Sequence, residues 1–362
     1  MSEVALTERE RCVLDAVIRT YVETAEPAGS RTVARRSNLG VSPATVRNTM
    51  SDLEEKGFLY HPHTSAGRIP TDQAYRYYVD TMMRPQRLTV AQARKLRREL
   101  GDGESSGPLE RLVRRAAQAM GLLTGELGVA IAPSVDEVVL ERLELMALSP
   151  EKVLLVLTLR NGMVRTVYVD LPLSVPRGTL VSLMVVLNER LAGLTMAEIR
   201  STLPERLRDS APGGDRPTSE LLNIFLQSAD ELFDLTGDEV HLGHASVLAS
   251  QPEFESGPQL RGLIELTERR ELLAKVLTRR SRDSQLQISI GSENEAPELT
   301  GFTLVTGEYR VGDLAGVIGV IGPTRMPYDR VVTIVDSTSR MVSELYSARP
   351  DGQESAGLAA KD

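Results

Sequence analysis

The sequence predicts a multidomain α+β protein with a helical N-terminal part, and three observations carry that reading. A chain of 362 residues, 41% hydrophobic, exceeds what one core usually holds and fits two or three domains. Its charge is uneven: residues 27–100 hold 13 Arg and Lys against 6 Asp and Glu, whereas residues 101–362 hold 26 against 38, in a chain of net charge -8. The spacing of apolar residues changes from helical to strand-like beyond about residue 108.

Composition narrows the classes further. The longest apolar run, near Val181 to Leu187, falls far short of the roughly 20 residues that cross a bilayer, and the start lacks a basic segment followed by an apolar one. The reading is a cytoplasmic protein with no membrane partner. A single cysteine, Cys12, excludes an intrachain disulfide and a multi-cysteine zinc site, and its neighbours Val13, Leu14 and Val17 suggest a small core residue.

Taken in order, Thr7 and Glu10 form a capping box ahead of Val13, Leu14, Val17 and Ile18, giving a helix to about Thr24 that Pro27 and Gly29 end. Ser30 can cap a short helix to Arg36, and Asn38-Leu39-Gly40 reads as its stop. Ser42 then caps a helix with Pro43 at its first position, Val46, Met50 and Leu53 on one face, and Gly57 at its close. Phe58 to Tyr60 and Arg68-Ile69-Pro70 frame a hairpin with its tip at His61 to Gly67, and Thr71 caps the next helix. Three helices and a wing thus fill a first domain, 1–83, followed by a connecting helix and hinge, 84–107, that ends in GDGESSG.

From Pro108 a helix to about Leu123 precedes strand-like runs at Val138 to Ala147, Val153 to Leu159 and Val164 to Leu171, with helices near Leu180 to Leu191 and Thr195 to Leu203. Helices at Ser219 to Leu235 and Gln259 to Arg279 flank a strand near His241 to Leu248. Strands resume at Leu286, Leu299 and Gly316, before a helix from about Tyr328 to Tyr346. The expected organisation is one α+β domain in two segments, 108–217 and 285–347, with 218–284 inserted and a disordered tail at 348–362. In this arrangement the last section rejoins the sheet begun at Val138.

The chemistry concentrates near the basic end. A helix-turn-helix places the start of its second helix against base edges in the major groove. Thr45, Arg47 and Asn48 stand there beside Ser42. Arg can pair with guanine and Asn with adenine, so Asn48 reads an adenine while Arg47 reads a base or clamps a phosphate. On the hairpin, His61, His63, Thr64 and Ser65 offer donors, and Gly67 with Arg68 permits close approach to phosphate or minor groove. His61 and His63 lack a third ligand nearby, so phosphate contact is favoured over metal. Among the acidic pairs, Glu293 and Glu295 read as a solvated loop. The chain holds no G-x-S-x-G, P-loop or HExxH and no GxGxxG spacing, so neither catalysis nor a cofactor is expected.

The stretch GVSPATVRNTMSDLEEKGFLYHPHTSAGRIPTDQAYRYYVD, Gly40 to Asp80, resembles the bacterial heat-inducible transcription repressor family HrcA, as do LTGFTLVTGEYRVGDLAGVIGVIGPTRMPYDRVV and VDSTSRMVSELY between Leu299 and Tyr346. The resemblance covers nearly the whole chain. It implies an N-terminal winged helix-turn-helix, a GAF-like α/β domain and a dimerisation domain inserted into the latter. It also implies repression of chaperone operons, those of the GroE and DnaK systems, by a homodimer on the CIRCE inverted repeat, with activity assisted by GroE chaperonin and lost on heat stress. The recognition helix would be Ser42 to Gly57 and the wing Tyr60 to Pro70. Helices 219–235 and 259–279 are the expected dimer surfaces. A ligand-gated regulator with a pocket near Val153 or Leu314 is the rival reading.

Overall fold

The computed structural model describes residues 5–36, 40–63, 66–84, 86–101, 109–133, 135–149, 151–160, 164–171, 176–208, 240–254, 257–280, 286–312 and 314–347. The chain divides into two compact units. One gathers residues up to 132 with 240–309 and 316–346; the other holds 133–239 with the short stretch 310–315. None of the described helices is long and apolar enough to cross a membrane.

The first unit opens with α1, Glu8–Thr24, whose start is fixed by the expected capping box between Thr7 and Glu10. It buries Val13, Leu14, Val17 and Ile18, but Cys12 is exposed, which corrects the placement of that thiol in the core. The reason is periodicity. Residue 12 shares its side of the helix with Asp15 and Arg19, three and seven positions on, rather than with the apolar stripe. Helix α2, Ser30–Arg36, buries Val33, and α3, Pro43–Glu55, buries Val46, Met50 and Leu53. Strands β1, Leu59–Tyr60, and β2, Ile69–Pro70, pair antiparallel, and α4, Asp72–Tyr77, runs on into a π-helical turn, Tyr78–Met82.

Helices α5, Val90–Leu100, and α6, Leu109–Thr124, lead to β3, Leu127–Ile131, a strand of five buried residues. The chain re-enters this sheet at β7, Val240–Leu242, and continues through α9, Ala245–Ala249, α10, Gly257–Glu268, and α11, Arg270–Arg280. It then completes the sheet with β8, Leu286–Ile290, β9, Phe302–Val311, and β10, Leu314–Pro323, and ends in α12, Tyr328–Ser347. The order across the five strands is β7-β3-β10-β9-β8. Alternation of side chains sorts the two faces. Leu127, Val129, Ile131, Phe302 and Leu304 pack with Leu263, Leu266, Leu273 and Leu277 of α10 and α11. On the opposite face Gly128 lies under α6, where a Cβ would collide with the Ala117 carbonyl oxygen, and Gly307 lies under α12 against Ser339. A helix layer therefore covers each side.

In the second unit β4, Leu140–Ser149, β5, Lys152–Leu159, and β6, Val164–Asp170, form a three-stranded meander. Its inner face packs Leu143, Val153, Leu155, Leu157 and Val169 against Leu183, Leu187 and Leu191 of α7, Arg177–Leu191, and Ile199 and Leu203 of α8, Met196–Arg208. Asn188 fixes α7 to β4, accepting from the Leu143 amide at 2.8 Å and donating to its carbonyl at 2.7 Å.

This layout corrects the expected domain division. The last section of the chain joins β3 and β7, not the sheet begun at Val138, and the segment that leaves and returns is 133–239 rather than 218–284. The missed signal is β3, whose short glycine-containing LGVAI has no alternation because both its faces are covered. The helix expected over 259–279 is α10 and α11, parted at Arg269, and its leucines belong to the first unit's core. The expected hinge 102–107, helix 219–235 and tail 348–362 lie outside the described residues.

Candidate nucleic-acid interface

The start of α3 is built by its own sequence. Ser42 is extended at the N-cap and its Oγ accepts from the Thr45 amide at 3.2 Å, while Pro43 fills the first turn where an N–H would have no partner. The Thr45 hydroxyl lies 3.0 Å from the same Oγ. Ser42 and Thr45 are thus engaged with each other, holding the helix end in shape. Val46, Thr49, Met50 and Leu53 bury the inner face, so Arg47 and Asn48 are turned outward and exposed. Neither has a hydrogen-bond or ion-pair partner among the described residues. An exposed guanidinium and carboxamide on adjacent residues, at the electropositive end of a helix, form a donor-rich surface suited to base edges or phosphate.

The far end of α3 is braced from α1. Lys56 Nζ reaches Glu10 Oε1 at 2.6 Å, and this ammonium holds the Glu10 carboxyl below its ordinary value. Gly57 then turns the chain with φ +82° into β1.

The hairpin presents its donors differently. His63 is exposed, and its carbonyl accepts from the Ala66 amide at 3.0 Å to close the tip. Thr64 and Ser65 lie outside the described residues. His61 Nδ1 donates to Glu54 Oε1 at 2.7 Å, and Arg68 Nη2 forms an ion pair with Glu54 Oε2 at 2.8 Å. The Arg68 side chain keeps only 14% of its surface. Its backbone bridges Ala28, with N–H to carbonyl distances of 2.8 and 3.0 Å. Gly67 is needed at this bridge, since a Cβ there would stand 2.5 Å from the carbonyl oxygens of Pro27 and Ala28. The glycine therefore serves close approach to the protein's own backbone, where the sequence reading assigned it to phosphate or groove.

Sequence reasoning missed Glu54. The signal was available in retrospect: a turn at Gly57 folds the hairpin back on the last turn of α3, so an acid there must face whatever the hairpin carries.

These elements define a multidomain α+β protein that offers one capped helix and one hairpin outward from its basic end. The family model for the HrcA protein C-terminal domain matches residues 110–332. The heat-inducible transcription repressor HrcA of Chlorobium phaeobacteroides (strain BS1) is 39% identical over 355 residues, covering 94% of this chain and 99% of that protein. That of Chlorobium limicola is 37% identical over 362 residues, covering 97% and 100%. The crystal structure of a hypothetical protein at 2.2 Å resolution is similar in fold, with TM-score 0.66 at 22% identity over 95% of this chain and 99% of that one. The chain belongs to the HrcA family.

Proposed function

We propose that this chain is a heat-shock transcription repressor that places α3 in the major groove of duplex DNA and lays its β1–β2 hairpin along the flanking backbone, as a winged helix-turn-helix. The observation that carries the reading is the pair Arg47 and Asn48, exposed and without a partner among the described residues, on a helix whose opposite face is buried and whose start is capped. The names of its relatives, heat-inducible transcription repressors, supply the regulatory context. In this reading the operator is the CIRCE inverted repeat ahead of GroE and DnaK chaperone operons, and GroE chaperonin assists the active form until heat-unfolded clients compete for it. The protein is a binder and not an enzyme.

An inverted repeat calls for a two-fold protein. The open face of the β4–β6 sheet is the dimer surface we favour, because Met146 and Tyr168 stay 52% and 73% exposed there, with Leu154 between them in register. Of the two helices expected to pair subunits, 219–235 lies outside the described residues, and the leucines of α10 and α11, which cover 259–279, pack against the five-stranded sheet. The ligand-gated alternative draws no support from the region named for it, since Val153 is packed in a leucine core with Leu314 against it. The α+β body read as GAF-like would then act as a framework.

The test is binding of the full chain to a duplex carrying the inverted repeat, beside a scrambled duplex, over a salt series with and without GroE chaperonin. Preference for the repeat supports the reading. Equal binding of both duplexes by folded dimer, with chaperonin present, overturns it.

A further inference from the structure

Glu54 sits on the last turn of α3 and divides its carboxylate between two hairpin donors, one oxygen for His61 at 2.7 Å and one for Arg68 at 2.8 Å. The consequence for Arg68 is an incomplete contact. A guanidinium prefers a bidentate acceptor that takes two parallel N–H groups. Arg76 has one in Glu293, through Nε at 2.7 Å and Nη2 at 2.5 Å, and Arg325 has one in Glu253 through the same two atoms. Arg68 meets the carboxylate as an ion pair from Nη2 to Oε2 without that parallel pair of hydrogen bonds, and its Nε is buried without an acceptor among the described residues. A buried donor left unmade is costly, so this side chain is held in a place that does not satisfy it.

We propose that Glu54 is a built-in stand-in for a DNA phosphate: it holds His61 and Arg68 in the free protein and yields them to the backbone when the operator is bound. The proposal rests on the DNA-binding reading and deepens it by adding a positioning residue that sets specificity. Its logic is electrostatic. In a loosely held, sequence-independent complex the hairpin keeps its donors on Glu54, and the carboxylate's own charge faces the phosphates unfavourably. On the operator, base contacts from α3 fix the register and bring one phosphate to the hairpin, where it can take both Nη2 and Nε of Arg68. Glu54 thus withholds affinity from the wrong duplex more than from the right one, which is specificity through a repulsive element.

The experiment compares the full chain with Glu54→Gln on operator and scrambled duplexes over a salt series, each protein checked by thermal unfolding. Glu54→Gln is expected to tighten scrambled-duplex binding about tenfold and operator binding less than about threefold. The plot of log affinity against log salt for the scrambled duplex should steepen by about one, the increment of one added phosphate contact. In the background His61→Gln with Arg68→Gln the gain should vanish. If the gain persists there, Glu54 acts only as a general negative charge and the proposal falls. It falls also if Glu54→Gln weakens both duplexes equally at unchanged salt slope, the behaviour of a mere structural latch. Should Glu54→Gln fail to fold, Glu54→Asp replaces it: its shorter carboxylate cannot span both donors, and a smaller gain of the same kind is expected, with no gain overturning the idea. An unaltered chain that cannot tell the two duplexes apart defeats the DNA reading itself, whereas discrimination with no response to Glu54 variants defeats this proposal alone.

Discussion

Arg47 and Asn48 on α3 stand exposed with no partner among the described residues, whereas Arg68 and His61 on the neighbouring hairpin are both held by Glu54. The residue types are much alike. What differs is the surrounding structure, which leaves the first pair free to meet a ligand and gives the second a prior engagement. A donor's chemistry is thus decided by what already occupies it, and that cannot be read from the residue alone.

Removal of the exposed pair has the largest expected effect. Arg47→Ala with Asn48→Ala should cost operator binding roughly 1 to 3 kcal/mol per lost base contact, and change scrambled-duplex binding only as the loss of one charge would. Competition binding at fixed salt measures the difference. A uniform loss on both duplexes would mean that the exposed pair merely clamps phosphate.

The hairpin side of the comparison predicts a stability effect instead. Gly67→Ala sets a Cβ about 2.5 Å from the Pro27 and Ala28 carbonyl oxygens and should destabilise the first unit by about 1 to 3 kcal/mol. Thermal unfolding reads that loss, and both duplexes should weaken together. Selective loss of operator binding at unchanged stability would return Gly67 to the DNA contact that the sequence suggested.

The same distinction between engaged and unengaged charge extends to the interior. Glu126 is buried with an amide, Gln251, 3.0 Å from its carboxyl, and desolvation pushes its pKa up from 4.5 to about 8. The folded state therefore holds this proton more tightly than the unfolded chain. The associated stability is full below about pH 4.5 and is lost as pH rises through about 8. Glu126→Gln should stabilise the protein by on the order of 2 kcal/mol at pH 8, with the gain fading toward pH 4.5 in paired thermal melts. A gain that does not change with pH would show that packing, not ionisation, limits this site.

Legibility in the sequence follows the same line. Capping residues act on backbone groups a few positions away, so Thr7, Ser42 and Thr71 placed their helices correctly from sequence. Alternation exposed β5 and β6 because one face of that meander is left partly open. It failed for β3, which is covered on both faces and bonded to β10, some 190 positions further along the chain. The division between the two units was misread for that reason. On α3, the exposed position of Arg47 and Asn48 followed from helical period alone. The capture of Arg68 depended on the fold of the hairpin over Glu54, and the exposed Cys12 on which side of α1 the core chose.

The smallest expected effect tests whether Ser42 belongs with the free donors or with the engaged ones. Its Oγ caps α3 through the Thr45 amide, so Ser42→Ala should cost about 1 kcal/mol of stability and lower Tm by roughly 2 to 4 °C in a unit of this size. Ser42→Asn, which can cap as well, should restore both. Because the cap shapes the end that carries Arg47 and Asn48 without being required to touch a base, the ratio of operator to scrambled affinity should change by less than about threefold, well under the tenfold expected of one lost base contact. If Ser42→Ala instead abolishes discrimination while Tm is preserved, the hydroxyl itself meets DNA. The line between engaged and free side chains would then no longer separate framework from contact on α3.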